Sequence, residues 1–148
     1  MKTLENNQIK PAGLPRIIGS ISYDLIIIIA LLLFATTLLF FIYLLFGANP
    51  PAPTNTYFRV YLFMIITGYY HGSWLYNRQT IGMKAWNLVL LSEQANKPIT
   101  LLQSFMRIIG GILGAICFGF GYIYLYFNKQ QKTLADSLSN TKMYYVSH

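Results

Sequence analysis

The chain has 148 residues, 55% of them hydrophobic and only 10% charged, with a formal net charge of +7. That length predicts one domain, and the apolar excess removes the chain from ordinary soluble composition and places it in the membrane class. The basic residues stand singly at the ends of apolar runs instead of forming an aromatic-interleaved patch, which argues against a nucleic-acid partner. Cys117 is the single cysteine, so no intramolecular disulfide can form, and its apolar neighbourhood makes it a packing residue.

Residues 1–14 are polar and carry Pro11 and Gly13, which predicts a flexible N-terminal tail. Pro15 suits the first turn of a helix. From Arg16 to Phe46 the chain stays apolar for about thirty residues, longer than the roughly twenty that span a bilayer. It is also longer than the apolar core of a secretory signal, about 7 to 15 residues, so a retained spanning helix is predicted over 16–46. Arg16, Ser20 and Asp24 follow one another at helical spacing and share one face. Asp24 lies about 12 Å along the axis from Arg16, at 1.5 Å per residue. Ionisable groups within spans face the protein interior, find a partner and often mark ion or proton pathways. Two roles stay open for Asp24: an acid that exchanges a proton or binds a small cation, or a static polar clamp between helices.

Gly47 to Thr56 is a proline-rich connection without charge. A second span is predicted over 57–76, ringed by Tyr57, Phe58, Trp74 and Tyr76 in the manner of an aromatic belt. Gly68 and Gly72 have the GxxxG spacing that lets helices approach closely. Thr67 and His71 form a smaller polar face, open to either hydrogen-bonded packing or proton relay. In residues 77–100, Arg78, Lys84, Glu93 and Lys97 surround the apolar run Trp86 to Leu91, which a turn-like SEQANKP follows. This predicts a small surface β-hairpin.

Residues 101–127 form a third hydrophobic segment, interrupted early by Gln103, Ser104 and Arg107 and punctuated by Gly110, Gly111, Gly114, Gly119 and Gly121. Glycine at this density either permits close packing or breaks the helix. Residues 128–148 are a basic tail with Lys129, Lys132, Lys142 and one acid, Asp136. The predicted fold class is therefore an all-α membrane protein, a single domain over 15–146. It has two full transmembrane helices, a small surface β-hairpin and a Gly-rich third segment that is either a re-entrant hairpin or a third span. Lys and Arg are absent from the connection between the first two spans and present in the other three polar regions, which places those three, and the N-terminus, on the cytoplasmic side. That pattern favours the re-entrant path, hinged at the ICFGFG glycines and covered by protein or water where its backbone opens.

P-loop, HExxH, CxxC and GxSxG motifs are absent, and four acids, two histidines and one cysteine leave few candidates for a metal site or an acid/base pair. No enzyme activity, cofactor or metal is expected.

Three islands resemble the RDD family of small bacterial and archaeal membrane proteins, named for an arginine and two aspartates. They are PRIIGSISYD (15–24), with Arg16 and Asp24; RQTIGMKAWNLVLL (78–91), similar to the family's G-x-T-x-G-K segment through Thr80 and Gly82; and KQQKTLADSLSNT (129–141), similar to its basic stretch and L-H-D-x-x-x-x-T through Asp136 and Thr141. Met83 stands where the family has lysine, with Lys84 beside it; Arg78 stands near a common glycine; and Ala135 replaces a histidine.

The resemblance implies a prokaryotic cytoplasmic membrane location, a multi-pass fold and a transport-related role. It also implies that Asp136 joins Arg16 and Asp24 in one charge network, supported by Ser20, Thr67, His71, Thr80, Lys84, Arg107 and Thr141. Two functions follow as expectations: binding or relay of a proton or small cation, or a non-transporting scaffold in which the same network is structural. The expected partners are the lipid bilayer and a homo-oligomer or larger membrane complex, with contacts at Gly68, Gly72, Gly110, Gly111 and Gly114. Arg78, Lys84 and Arg107 would further suit anionic lipid headgroups.

Overall fold

The structure is a computed structural model that describes residues 9–93, 97–116, 124 and 132–146. Helix α1, Leu14–Leu45, has Pro15 in its first turn, where no intrahelical donor is lost. Among the described residues it is the one helix long and apolar enough to cross a membrane. Its buried residues are Ile17, Ser20, Asp24 and Ile28, a stripe at helical spacing confined to its first half. The remaining surface shows Leu, Ile and Phe side chains outward, as lipid contact requires.

Helix α2, Thr56–Gly72, is capped by Asn55, whose side chain accepts the Tyr57 amide at 2.8 Å. It rests on the far half of α1 through the Tyr61 hydroxyl, which donates to the Ala35 carbonyl at 3.0 Å, and through the Phe40–Phe58 ring pair. A π-helical turn, Ser73–Asn77, continues it and ends where Arg78 takes a left-handed conformation (φ 56°). Helix α3, Ile81–Ala85, and strand β2, Leu88–Ser92, follow. After helix α4, Leu101–Ile116, the chain forms helix α5, Leu134–Ser139, and strand β3, Thr141–Val146.

Both ends of the chain enter the sheet. Strand β1, Ile9–Pro11, and β2 each pair antiparallel with β3, giving the order β1-β3-β2. The register aligns Ile9 with Val146 on one side and Leu88 with Tyr145 on the other. This corrects two expectations. Among the described residues the strand at 88–92 has no local hairpin partner; it pairs with β3, and the segment before it is the short helix α3. The N-terminal stretch contributes strand β1 at Ile9–Pro11, and the basic C-terminal stretch supplies the central strand. Period-2 patterning marks a strand but not its partner when that partner is far away in sequence.

A compact apolar cluster lies beneath the sheet: Ala12, Ile17, Trp74, Met83, Leu88, Leu90, Ile99 and Met143, with Tyr70, Ile108 and Tyr145 against it. Trp86 lies outside that cluster, with its ring pressed on Gly19 of α1, where an added Cβ would come within 2.3 Å of the indole. The proposed glycine hinge at Gly119 and Gly121, Cys117 and the start of the basic tail lie outside the described residues.

Candidate functional site: a buried acid and a buried ion pair on one cavity

Asp24 is 3% exposed, and its carboxylate gathers donors from two other elements. Thr80 Oγ1 donates to Oδ2 at 2.5 Å, while the Tyr69 hydroxyl and the Gly82 amide donate to Oδ1 at 2.7 and 2.9 Å. The local sequence explains the geometry. Thr80 is the N-cap of α3, so its hydroxyl accepts from the Met83 amide while donating to Asp24, and the second amide of the helix points the same way. Gly82 is required by proximity: a Cβ there would lie 2.2 Å from the Ser20 carbonyl oxygen and 2.8 Å from the Asp24 carboxyl carbon. Tyr69 also accepts the Ile81 amide at 3.3 Å, tying α2 to α3.

A second polar centre is built by α4 and α5. The buried face of α4 is Ser104, Arg107, Gly110 and Gly114, a polar and small-residue stripe at helical spacing. Gly110 brings the helices together, because a Cβ at that position would meet the Ala135 backbone at 2.7 Å. Arg107 Nη1 donates to Asp136 Oδ1 at 2.6 Å and to Thr141 Oγ1 at 2.8 Å, and its guanidinium lies 5.5 Å from the Trp74 ring centre. Asp136 is the third residue of α5 and completes a capping box: Oδ2 accepts the Thr133 amide, and Thr133 Oγ1 accepts the Asp136 amide, each at 3.1 Å. Ser139 Oγ lies 2.6 Å from Thr141 Oγ1.

The predicted network therefore divides. Asp136 meets Arg107 and not Arg16, whose guanidinium stacks 3.4 Å from the centre of the Tyr145 ring. Among the described residues Asp24 has no ion pair. The reason is directional: Arg16 points at the sheet, whereas Asp136 is turned into α4 by its own capping role. Arg107 is consequently buried and offers nothing to lipid headgroups. Ser20 is buried beside Asp24, and Lys84 is exposed. Thr67 bonds back to the Phe63 and Met64 carbonyls of its own helix, while His71 Nδ1 lies 2.6 Å from Ser104 Oγ. Gly110 and Gly114 face inward, whereas a Cβ at Gly68, Gly72 or Gly111 would meet nothing within 4 Å.

Sequence reasoning missed Tyr69, Trp74 and Thr133 and gave Arg107 only a supporting part. Two signals were available: T-x-x-D at Thr133–Asp136 has the spacing of a capping box, and Ser104, Arg107, Gly110 and Gly114 share one helical face. Tyr69 carries no such signal.

A cavity of about 290 Å³ joins the two centres. Asp24, Ser20 and Thr80 line it on one side and Arg107 and Thr133 on the other, with apolar side chains between. Among the described residues no cluster of His, Cys, Asp and Glu could hold a metal ion.

A long lipid-compatible helix, a sheet closed by both chain ends and two buried polar centres on one cavity describe a small membrane protein with an internal polar layer. The chain belongs to the RDD family, whose model matches residues 11–140. Searches of curated proteins and of solved structures return no match.

Proposed function

We propose that this RDD-family protein is transport-related and that Asp24 is its exchange site for a proton or small cation, while Arg107 and Asp136 form a fixed clamp. The observation that carries this reading is the isolation of Asp24. It is buried on a cavity wall and bonded by neutral donors, with no cationic partner among the described residues. A carboxylate has about four acceptor positions, so three donors leave one for an incoming proton or cation. Asp136, by contrast, is held by a guanidinium and a backbone amide.

In this reading α1 and α2 are the two full spans of a multi-pass protein in a prokaryotic cytoplasmic membrane, with the N-terminus cytoplasmic and residues 101–127 re-entering. Two spans enclose no pathway, so the working form is an oligomer. The open faces at Gly68 and Gly72 leave room for a neighbouring copy. No chemical step beyond proton or ion exchange is assigned, and the protein is not an enzyme. Proteoliposomes containing the protein should show proton or cation flux that Asp24→Asn abolishes; equal flux from both would remove the exchange role.

The scaffold reading is favoured by one observation: the donors to Asp24 come from α2 and α3, so the acid ties three elements together. It predicts that Asp24→Asn lowers the yield and melting temperature without a specific flux defect, and that the protein copurifies with a larger membrane complex.

A further inference from the structure

We propose that the cavity binds a membrane-dissolved amphiphile carrying one positive amino group and a neighbouring carbonyl-type acceptor, with its apolar chain lying toward the lipid. Four observations support this ligand class. First, the wall is mainly apolar and aromatic, including Ile17, Phe63, Tyr70 and Ile108. Its volume, about 290 Å³, is roughly twice the ~150 Å³ of an apolar cavity that accepts benzene.

Second, Ile21, Phe63 and Ile112 contribute to this wall and are also 38%, 57% and 49% exposed. In a membrane chain such residues face hydrocarbon, so the opening admits solutes from the bilayer. Third, the buried groups at the cavity set the charge of the guest. Arg107 and Asp136 cancel, which leaves Asp24 as the buried charged residue without an ion pair among the described residues. An anionic headgroup would be repelled there and a cationic one drawn in, with the remaining acceptor position of the carboxylate free to take an ammonium N–H.

Fourth, Trp74 lies in the same wall at 7% exposure, and its indole N–H is the buried side-chain polar atom without a hydrogen-bond partner among the described residues. Buried donors are nearly always satisfied, so this orphan gains a partner from a guest acceptor that reaches it. An ammonium would complete the Asp24 carboxylate, and a carbonyl reaching the indole N–H would satisfy Trp74.

The inference rests on Asp24 being an accessible acid, as in the proposed function, and its test separates the two. The protein is placed in nanodiscs of zwitterionic lipid with ¹⁵N-labelled tryptophan. There are two tryptophans, so two indole signals are expected, and Trp86→Phe assigns them. The probes are N-dodecylglycinamide (ammonium and carbonyl), N-dodecylacetamide (carbonyl alone) and N-dodecylsuccinamate (carbonyl and carboxylate).

The Trp74 signal should shift saturably with the ammonium probe at concentrations at least tenfold below those the neutral probe needs, and stay still with the anionic one. Asp24→Asn should remove that tenfold preference. Gly111→Leu, which places a side chain in open cavity space without touching a hydrogen bond, should abolish binding. It also keeps the test decisive where Asp24→Asn fails to fold. Equal binding of charged and neutral probes, no saturable shift, or binding that survives Gly111→Leu overturns the proposal. Asp24-dependent ion flux without ammonium binding overturns this inference alone; binding without flux supports it and removes the transport reading.

Discussion

Arg107 and Asp136 meet at 2.6 Å with both side chains almost wholly buried, while Asp24, on the same cavity, has no charged partner among the described residues. The two acids that the family resemblance groups together are thus held by different chemistry. One closes a permanent ion pair between α4 and α5. The other is held by a hydroxyl pair and a helix amide, none of them charged.

Removing Arg107 should be among the most damaging single changes. Arg107→Met leaves Asp136 buried without its counter-charge, and breaking one partner of a buried pair costs about 3–5 kcal/mol. Thermal unfolding in detergent should show a clearly lower midpoint. The double variant Arg107→Met with Asp136→Leu should recover much of that loss, because no isolated charge remains, although the capping box is gone and costs about 1 kcal/mol. A double variant no better than the single one would show that Asp136 acts mainly as a cap.

Gly82→Ala tests the seat of Asp24. The new methyl would lie 2.2 Å from the Ser20 carbonyl oxygen, so α3 must shift from α1 and the Gly82 amide must leave the carboxylate. Overpacking of this kind costs about 1–3 kcal/mol. Gly68→Ala is the control, since its Cβ meets nothing within 4 Å and alanine favours a helix by about 1 kcal/mol over glycine. The melting temperature should fall for the first and hold or rise for the second. Equal shifts would show that Gly82 is not packed as described.

What the sequence made legible was the long helix and its polar stripe, which depend on local period. The polar stripe of α1 appears as Ser20 and Asp24 among its four buried positions, and the break near residue 47 appears as the end of that helix at Leu45. Long-range pairing was not legible. Nothing in TKMYYV states that it will lie between Ile9–Pro11 and Leu88–Ser92, and only that placement draws Tyr145 under Arg16. The partner of Asp136 was hidden for a related reason. Arg107 sits in an apolar segment where the depth of the charge, not its mate, is what the pattern reveals. Contacts between elements depend on which faces meet, and the family motifs fix the residues without fixing those faces.

The topology can be checked by labelling. Asn49 lies in the connection between α1 and α2, and Ser137 lies on the exposed side of α5, so a cysteine at either should be reachable from water without disturbing a buried contact. With a cytoplasmic N-terminus and a re-entrant third segment, a membrane-impermeant thiol reagent applied to intact cells should modify the cysteine at 49 and spare that at 137. Inverted vesicles should give the reverse pattern. Labelling of both from outside would mean that residues 101–127 cross completely. Cys117 is replaced by serine in this background so that each variant carries one thiol.

Arg78 offers a prediction of the opposite sign. It ends the π-helical turn with φ 56°, a left-handed conformation that costs an ordinary L residue roughly 1–2 kcal/mol and costs glycine little. Its carbonyl accepts the Leu90 amide at 2.8 Å, which fixes the backbone there whatever the side chain. Arg78→Gly should therefore raise stability by about 1 kcal/mol, less whatever the more flexible unfolded chain takes back. Arg78→Ala removes the same charge but keeps the Cβ, so it should gain nothing. If alanine and glycine raise the melting temperature equally, charge and not backbone strain is the relevant term at this position.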